Sequence, residues 1–215
     1  MKICKFYKNN NNYIGAYSDE FIYPINKNYI NLDIFSGIEI YKGRPLAFNE
    51  LQIKSPLPSN KIVYGIADNY KKDVKPIIFF KGESNSATPM LKKVNLNLSS
   101  NFENLWAEPE LGFVLSKDIK IETKINNIEN YIFGYFLAND ITGSLKGQDH
   151  HLICSKSSNG FLQTGSYINL NFKPENQDIS LIQDGVKLRE DNIKYRNYSD
   201  AKILENISKY FPLKR

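Results

Sequence analysis

The chain has 215 residues with a net charge of +5, and 41% of its residues are hydrophobic, enough for one large core or a core with a small appended domain. No apolar run approaches the roughly 20 residues of a membrane span. At the start of the chain apolar and charged residues alternate, so they do not form the apolar core of a signal peptide. The two cysteines, Cys4 and Cys154, are too few and too far apart for a disulfide scaffold or a zinc site. The lysines are scattered among acids and form no basic stripe with aromatic residues, so we expect a soluble cytoplasmic protein that binds neither nucleic acid nor membranes.

The first 50 residues are predicted to form a small β-rich domain. Short strands are expected at 2–7, 13–17 and 21–24, separated by polar turns. The proline-rich segment 55–59 is typical of a linker. We therefore place a boundary near residue 50, between a domain over 1–50 and a main domain over 51–215.

The main domain is predicted to consist mostly of strands and to end in a helix. Apolar runs predict strands at 61–66, 76–81, 106–117, 131–140, 165–172 and 179–190, the last of them a hairpin that turns at Asp184-Gly185. Residues 125–130 are compatible with a short helix, and the glycines and serines of 141–160 predict a long loop. Ser199 is expected to cap a final helix whose apolar residues are Ile203, Leu204, Ile207 and Phe211. The pattern predicts a β-rich α+β protein.

Two glutamates in the strand at 106–117 are the first candidate site. Glu108 and Glu110 are two residues apart, so a strand would project them from one face, about 7 Å apart. A third acid, Asp140, ends the strand at 131–140. Three carboxylates on neighbouring strand ends suit a hard divalent cation such as Mg²⁺ or Ca²⁺. The spacing is also typical of the solvent-facing side of an edge strand, and by itself it favours that interpretation.

The order of several short motifs resembles that of the fumarylacetoacetate hydrolase family. The motifs are Gly65-Ile66 with Asn69-Tyr70, Phe80-Lys81, Glu108-Pro109-Glu110-Leu111-Gly112, Asn139-Asp140-Ile141-Thr142, Ser155-Lys156-Ser157 and Thr164-Gly165-Ser166. Each match is weak, but six occur in the family's order over about residues 60–210. The first 50 residues are similar to the small N-terminal domain of bacterial members.

The resemblance implies a fold, a metal and a chemistry. It implies a mixed β-sandwich roll in which Glu108, Glu110 and Asp140 hold Mg²⁺, or else Mn²⁺ or Ca²⁺. The metal would bind a 2-oxo or 1,3-dicarbonyl acid and polarise its carbonyl. By the same resemblance Lys156 and Lys81 would lie at the anionic end of a small substrate, with Tyr70 and Thr142 also binding it. A homodimer is implied as well.

The chain departs from the family pattern where proton transfer is expected. Members that cleave carbon–carbon bonds have a His and a Glu where this chain has Asp73 and Pro76. Asp73 is a candidate base, although a carboxylate of ordinary pKa is a weaker base than imidazole, and a polar turn residue is the alternative. Gln148, His150 and His151 lie in the loop that the family places above the metal, so they are candidate catalytic residues. The alternative for the histidines is a solvated loop.

Two functions are compatible with these residues. One is a divalent-metal-dependent hydrolase, decarboxylase or isomerase of an acylpyruvate-like acid, with Lys156 and one of Gln148, His150, His151 and Asp73 acting in catalysis. The other is a catalytically degenerate protein of the same fold that acts as a binding or assembly subunit. The family's further closing strands, with a Thr-Gly-Thr-Pro loop, have no counterpart before Arg215. An open sheet edge is therefore also expected, unless another segment or subunit replaces those strands.

Overall fold

A computed structural model describes residues 1–26, 32–90, 100–147 and 152–215. In these ranges the chain forms seventeen strands, two α-helices and five short 3-10 helices. The elements are β1 (Lys2–Lys8), β2 (Asn11–Ser18), β3 (Phe21–Tyr23), β4 (Glu39–Ile40), β5 (Leu46–Ala47), β6 (Gln52–Lys54), β7 (Ile62–Ala67), β8 (Ile77–Glu83), β9 (Thr88–Pro89), β10 (Phe102–Trp106), β11 (Pro109–Leu115), β12 (Ile132–Asp140), β13 (Thr142–Leu145), α1 (Leu152–Lys156), β14 (Leu162–Thr164), β15 (Tyr167–Asn169), β16 (Asp178–Gln183), β17 (Val186–Asn192) and α2 (Asp200–Ser208). The predicted β-rich α+β class is confirmed.

The largest sheet joins strands from both ends of the chain. Its main path runs β5-β3-β2-β1-β15-β12-β14-β9, with β11 paired to β12 and both β4 and β6 attached at the N-terminal side. Strand β1 pairs with β2, β6 and β15, and it buries apolar side chains from both of its faces. Ile3 packs in one core cluster, and Cys4 and Phe6 pack in another. The sheet thus continues across residue 50, and the two-domain division stays a prediction.

The hairpin turns follow local sequence. Asp184 and Gly185 both have positive φ angles, 51° and 78°, between β16 and β17. Two central residues with positive φ match the twist of antiparallel strands, and Asp-Gly is a favoured pair for such a turn. The hairpin predicted there is confirmed.

Helix α2 closes a second apolar core. Ser199 caps it by accepting a hydrogen bond from the Lys202 N–H, as predicted. Ile203, Leu204 and Ile207 pack with residues that include Ile119, Ile125 and Leu213. The expectation that Phe211 extends this face is wrong, because the helix ends at Ser208 and Phe211 is 45% exposed.

The predicted long loop over 141–160 is wrong in part. Thr142–Leu145 forms β13, which pairs with β10, and Leu152–Lys156 forms α1. A Cβ on Gly143 would lie 2.5 Å from the Phe102 ring, so the glycine lets that ring lie against the strand. Outside the segments that the structure leaves undescribed, no helix is long and apolar enough to cross a membrane.

Candidate active site

The site lies where two neighbouring antiparallel segments of the chain both pass from one β-sheet to another. β10 pairs with β13, whereas β11 pairs with β12, so the chain changes partner around Glu108 on one side and Ile141 on the other. The single strand predicted at 106–117 is therefore interrupted at Ala107-Glu108, just before Pro109. Pro109 disfavours a helical conformation at Glu108 and offers no N–H for pairing.

Hydrogen bonds across this break bring two of the acids side by side. The Asp140 N–H donates to the Glu108 carbonyl at 2.9 Å. The Glu108 N–H donates to Asn139 Oδ1 at 3.2 Å, and Asn139 Nδ2 in turn donates to Gln163 at 2.9 Å. Backbone hydrogen bonds between the two segments therefore bring Glu108 next to Asp140. The alternation of side chains along a single strand does not predict this arrangement.

Lys156 bridges these two carboxylates. It lies at the end of α1 and is buried, and its ammonium donates to Glu108 Oε2 and, at 2.9 Å, to Asp140 Oδ2. Burial lowers the pKa of Lys156, but Asp140 and Glu108 outweigh it, so the net pKa is raised and the lysine stays charged. Burial raises the pKa of Glu108, but hydrogen bonds from Lys156, Thr142 and Trp106 reverse this, and its net pKa is lowered.

Lys81 completes the group from β8. Its ammonium pairs with Asp140 Oδ1 and donates a hydrogen bond to the Ile141 carbonyl at 2.8 Å. Burial lowers its pKa, and the charge of Asp140 opposes that shift. Asp140 is therefore held between two buried ammonium groups.

Glu110 is the acid without a cation of its own. In the described part of the chain, no side chain forms a hydrogen bond or an ion pair with its carboxylate. Burial, followed by the charges of Asp140 and Glu108, raises its pKa to about 8. Tyr70 lies near it, and burial followed by the Glu110 charge raises the pKa of Tyr70 to about 12. A raised carboxyl pKa among like charges marks a place where a cation would be stabilised.

The oxygen donors fit a hard divalent ion chemically, yet they are not gathered around one point. Three carboxylates, one of them unpaired, match the ligand preference of Mg²⁺, Mn²⁺ or Ca²⁺. In the described ranges, however, no group of three or more His, Cys, Asp or Glu side chains is positioned to hold a metal ion. Glu108 and Asp140 are instead turned toward Lys156.

A cavity of about 540 Å³ opens beside these residues. Glu110, Asp140, Lys81 and Tyr70 line its polar end. Its apolar walls come from residues 62–66 of β7, residues 111–115 of β11 and the inner face of α2. Its volume lies in the range of small-molecule sites.

The other predicted site residues divide into three groups. Thr142 is buried, and its hydroxyl donates to Glu108 Oε2 at 2.9 Å, so it lies in the cluster. Asp73 is exposed in the β7–β8 turn and is not among the residues that line the cavity. Gln148, His150 and His151 lie outside the described residues.

A protein-family model matches most of the chain. The model describes the C-terminal domain of fumarylacetoacetate (FAA) hydrolase, and it matches residues 61–215. The chain belongs to the fumarylacetoacetate hydrolase family. The match covers β7 to α2. It therefore includes the five charged residues of the cluster, which are Lys81, Glu108, Glu110, Asp140 and Lys156.

Solved structures show the same fold over the whole chain. They include 2-hydroxyhepta-2,4-diene-1,7-dioate isomerase from Mycobacterium marinum, with a TM-score of 0.75, 16% identity, and coverage of 100% of this chain and 83% of that one. Maleylpyruvate hydrolase from Sphingobium sp. SYK-6 has a TM-score of 0.74, 13% identity, and coverage of 100% and 85%. Fumarylacetoacetate hydrolase from Exiguobacterium antarcticum has a TM-score of 0.73, 18% identity, and coverage of 100% and 83%. No curated protein sequence matches the chain significantly.

Sequence reasoning missed several contacts of this fumarylacetoacetate hydrolase family site. Trp106 Nε1 donates to Glu108 Oε1 at 3.1 Å, and its place two residues before Glu108 was an available signal. Arg189 Nη1 lies 3.6 Å from the same oxygen. Arg189 is distant in sequence and sits in an ordinary exposed hairpin, so nothing local could have indicated its position.

The Asn-Tyr turn of the family motif is tied to the segment that precedes α2. Asn69 is buried, its Nδ2 donates to the Tyr198 carbonyl at 3.3 Å, and its Oδ1 accepts from the Tyr198 N–H at 2.8 Å. The Asn197 N–H also donates to the Asn69 carbonyl. These bonds fix the backbone that carries Tyr70 beside Glu110.

Replacing Asn69 with Ala is expected to lower the free energy of unfolding by about 1–3 kcal/mol, because two partly buried backbone groups of Tyr198 lose their partner. Urea unfolding measures the change. Asn206→Ala is the matched control, since its side chain makes an exposed bond within α2 and its loss should cost less than about 0.5 kcal/mol. Equal effects of the two substitutions would contradict the anchoring role of Asn69.

Proposed function

We propose that the chain is a divalent-metal-dependent enzyme of a small 2-oxo or 1,3-dicarbonyl acid, acting as a hydrolase, decarboxylase or isomerase. The observation that supports this most directly is Glu110, a partly buried carboxylate beside Glu108 and Asp140 with which no described side chain forms an ion pair. The named structural neighbours, which include an isomerase and hydrolases, are consistent with it. We further propose a cytoplasmic homodimer that takes a small anionic substrate.

The three carboxylates are the proposed ligands of Mg²⁺, with Mn²⁺ or Ca²⁺ as substitutes. When bound, the ion would supply Lewis-acid polarisation of the substrate carbonyl and stabilise the negative charge that develops on it. Lys156 stays protonated and holds Glu108 and Asp140 in place. Lys81 fixes the other oxygen of Asp140.

Tyr70 and Thr142 are proposed to orient the substrate. The pKa of Tyr70, about 12, keeps its hydroxyl protonated near neutral pH, so it can donate a hydrogen bond to a substrate oxygen at the cavity wall. The Thr142 hydroxyl already donates to Glu108 and thereby positions that carboxylate. His150 and His151 are the proposed proton-transfer residues, with Gln148 as a further catalytic residue of the same segment. Asp73 is the alternative base, although it is exposed and is not among the residues that line the cavity.

A non-catalytic protein of the same fold is the second candidate. The observation that favours it is the β7–β8 turn, where Asp73 is exposed and Pro76 offers no side chain for acid–base chemistry. Such a protein would keep the charged cluster as a binding site and serve as a binding or assembly subunit.

Adding Mg²⁺, Mn²⁺ or Ca²⁺ is expected to raise the melting temperature by several degrees, since an ion at one hundred times its Kd stabilises the folded state by about 2.7 kcal/mol. Glu110→Ala should abolish the rise. Glu129→Ala is the control, because Glu129 is an exposed acid 3.7 Å from Lys173 and outside the cluster. If none of the three ions changes the melting temperature of the wild type, the proposed metal site is refuted.

Turnover separates the two candidate functions. A screen of acylpyruvates and oxaloacetate with Mg²⁺ present should show activity in the wild type. Loss of that activity in His150→Ala or His151→Ala would support a base in this segment. A metal-dependent rise in melting temperature without any turnover would favour the binding subunit.

A further inference from the structure

Two strands beside the cavity each have an edge without a neighbouring strand. Strand β7 pairs with β8 alone, and β11 pairs with β12 alone, among the strands that the structure describes. Within the same ranges no hydrogen bond joins the opposite edge of either strand to another segment. Each of these edges therefore presents backbone N–H and C=O groups with which a further strand can pair.

The cavity of about 540 Å³ runs along both edges. It is lined by every residue from Ile62 to Ile66 and by every residue from Glu110 to Leu115. A cavity over one face of a strand would touch alternate residues, because side chains alternate between the two faces. Contact with successive residues therefore places the cavity beside each strand, along an edge that spans about 17 Å.

Both strands face the same two apolar layers. Val63 of β7 and Val114 of β11 pack with one core cluster, whereas Tyr64 and Phe113 pack with the cluster that α2 closes. Successive residues of each strand thus alternate between the two clusters, as they do on the two sides of one sheet. A strand placed between β7 and β11 would likewise bury apolar side chains on both of its faces.

Two aromatic rings contribute to the wall on one side of this gap. Phe79 and Phe136 line the cavity, and they lie opposite Gly65 of β7 and Gly112 of β11 in the strand pairs. A Cβ on either glycine would overlap the ring that lies over it. Each ring therefore reaches across its partner strand toward the unpaired edge, where it offers apolar surface to a further strand.

The two edges lack the features that normally prevent strand pairing. Edge strands of soluble proteins commonly carry lysine, proline or an inward-pointing charge. Ile62–Ala67 and Leu111–Leu115 contain no charged residue and no proline. Their continuous apolar sequence is typical of strands that are covered on both faces inside a sheet.

These features together specify an extended peptide segment as the occupant. A polypeptide backbone offers N–H and C=O groups at the strand repeat along both of its edges. The apolar layers on both sides require about five successive apolar residues without proline. The fold also accommodates more chain, because the matches cover only 83% of the Mycobacterium marinum protein and 85% of the Sphingobium protein, which therefore contain segments without a counterpart here.

We propose that the gap between β7 and β11 binds an extended apolar segment of another polypeptide chain, which pairs with both strand edges and continues the sheet. This inference does not rest on the proposed function, because it follows from the two edges and the two apolar layers. The added strand fills the apolar part of the cavity and leaves the polar end, at Glu110 and Tyr70, for a small ligand.

A synthetic peptide tests this strand site in EDTA, where metal binding plays no part. Its sequence is Lys-Lys-Val-Ile-Val-Ile-Val-Lys-Lys with blocked ends, and its lysines provide solubility. Hydrogen exchange followed by NMR should slow about tenfold or more at the outward-facing amides of both Ile62–Ala67 and Leu111–Leu115, since these amides then donate to the peptide. The outward-facing amides of β16 and β17 are the internal control, and their exchange should not change.

A second peptide separates strand pairing from adsorption to an apolar surface. It has the same sequence, but the amide nitrogens of both isoleucines are methylated, so that one edge of the peptide loses its donors. Calorimetry should show about tenfold weaker binding than for the first peptide, because two hydrogen bonds are lost.

Leu111→Arg and Leu137→Arg form a matched pair of variants. The two leucines lie opposite each other on β11 and β12 and share a face of the sheet, but Leu111 lines the cavity, whereas Leu137 does not and is 55% exposed. Leu111→Arg should weaken binding of the first peptide about tenfold or more, because it places a charge against an apolar segment. Leu137→Arg should bind it as the wild type does.

Three results would each overturn the strand site: no binding of the first peptide, equal affinity for the two peptides, or unchanged exchange at either β7 or β11. None of them bears on the metal site, which the melting temperatures with added ions test separately.

Discussion

Replacing Lys156 with Met is expected to lower the free energy of unfolding of the metal-free protein by about 3–5 kcal/mol and to abolish turnover. The ammonium of Lys156 neutralises both Glu108 and Asp140, and all three side chains are largely removed from water. Removing one partner of a buried ion pair costs far more than the pair contributes, because charges are left buried without compensation. Met is chosen because its length and volume avoid adding a cavity to the electrostatic loss.

Urea unfolding in EDTA measures this loss, and Lys202→Met is its control. Lys202 is 52% exposed and lies 3.9 Å from Glu205, so its replacement should change the free energy of unfolding by less than about 0.5 kcal/mol. Mg²⁺ should recover more stability in Lys156→Met than in the wild type, because the ion then replaces a missing positive charge. A Lys156→Met protein as stable as Lys202→Met would show that the three charges are not coupled as the structure places them.

The sequence allowed the acidic cluster to be predicted, but not its arrangement. Strand alternation placed Glu108 and Glu110 on one face, and apolar runs placed Asp140 at the end of β12. In the structure Glu108 instead lies at the break between β10 and β11. There its backbone carbonyl accepts a hydrogen bond from the Asp140 N–H, and the two carboxylates come to lie side by side. A change of sheet depends on the pairing partners of both strands, and no pattern along one strand contains it.

Features fixed by a few neighbouring residues were predicted well. The Asp184-Gly185 turn and the Ser199 cap each depend on the conformational preferences of one or two residues. The loop expected over 141–160 was partly wrong because β13 owes its existence to pairing with β10, far away in sequence. Glycine and serine there signal flexibility when read alone, whereas Gly143 is required by the Phe102 ring that packs on it.

The family resemblance predicted that Lys156 and Lys81 lie at the site and bind the anionic end of the substrate. Their contacts show that each ammonium is committed first to protein carboxylates. Burial and hydrogen-bond partners, which a sequence does not carry, determine these contacts, and a role of the two lysines in substrate binding stays a prediction.

Replacing Glu110 with Gln is expected to make the metal-free protein more stable than the wild type at alkaline pH. In the unfolded chain Glu110 loses its proton near the ordinary pKa of 4.5, whereas in the folded protein it keeps the proton until about pH 8. Between these values the folded state binds one proton more than the unfolded state, so wild-type stability falls as pH rises. Gln cannot ionise, so the variant avoids this loss. The difference between these two pKa values corresponds to a gain of about 5 kcal/mol above pH 8 and almost none at pH 4.

Urea unfolding of both proteins in EDTA from pH 4 to pH 9 gives the difference directly, because every other titrating group is shared. Glu129→Gln, at an exposed acid outside the cluster, measures the effect of the amide substitution alone. Metal binding should release about one proton from the wild type at pH 7, since a carboxylate must be deprotonated to bind an ion. Calorimetry in two buffers of different ionisation enthalpy counts that proton. A stability difference between Glu110→Gln and the wild type that does not grow with pH would show that Glu110 is already ionised in the folded protein, and the cluster would then hold its third negative charge without a metal.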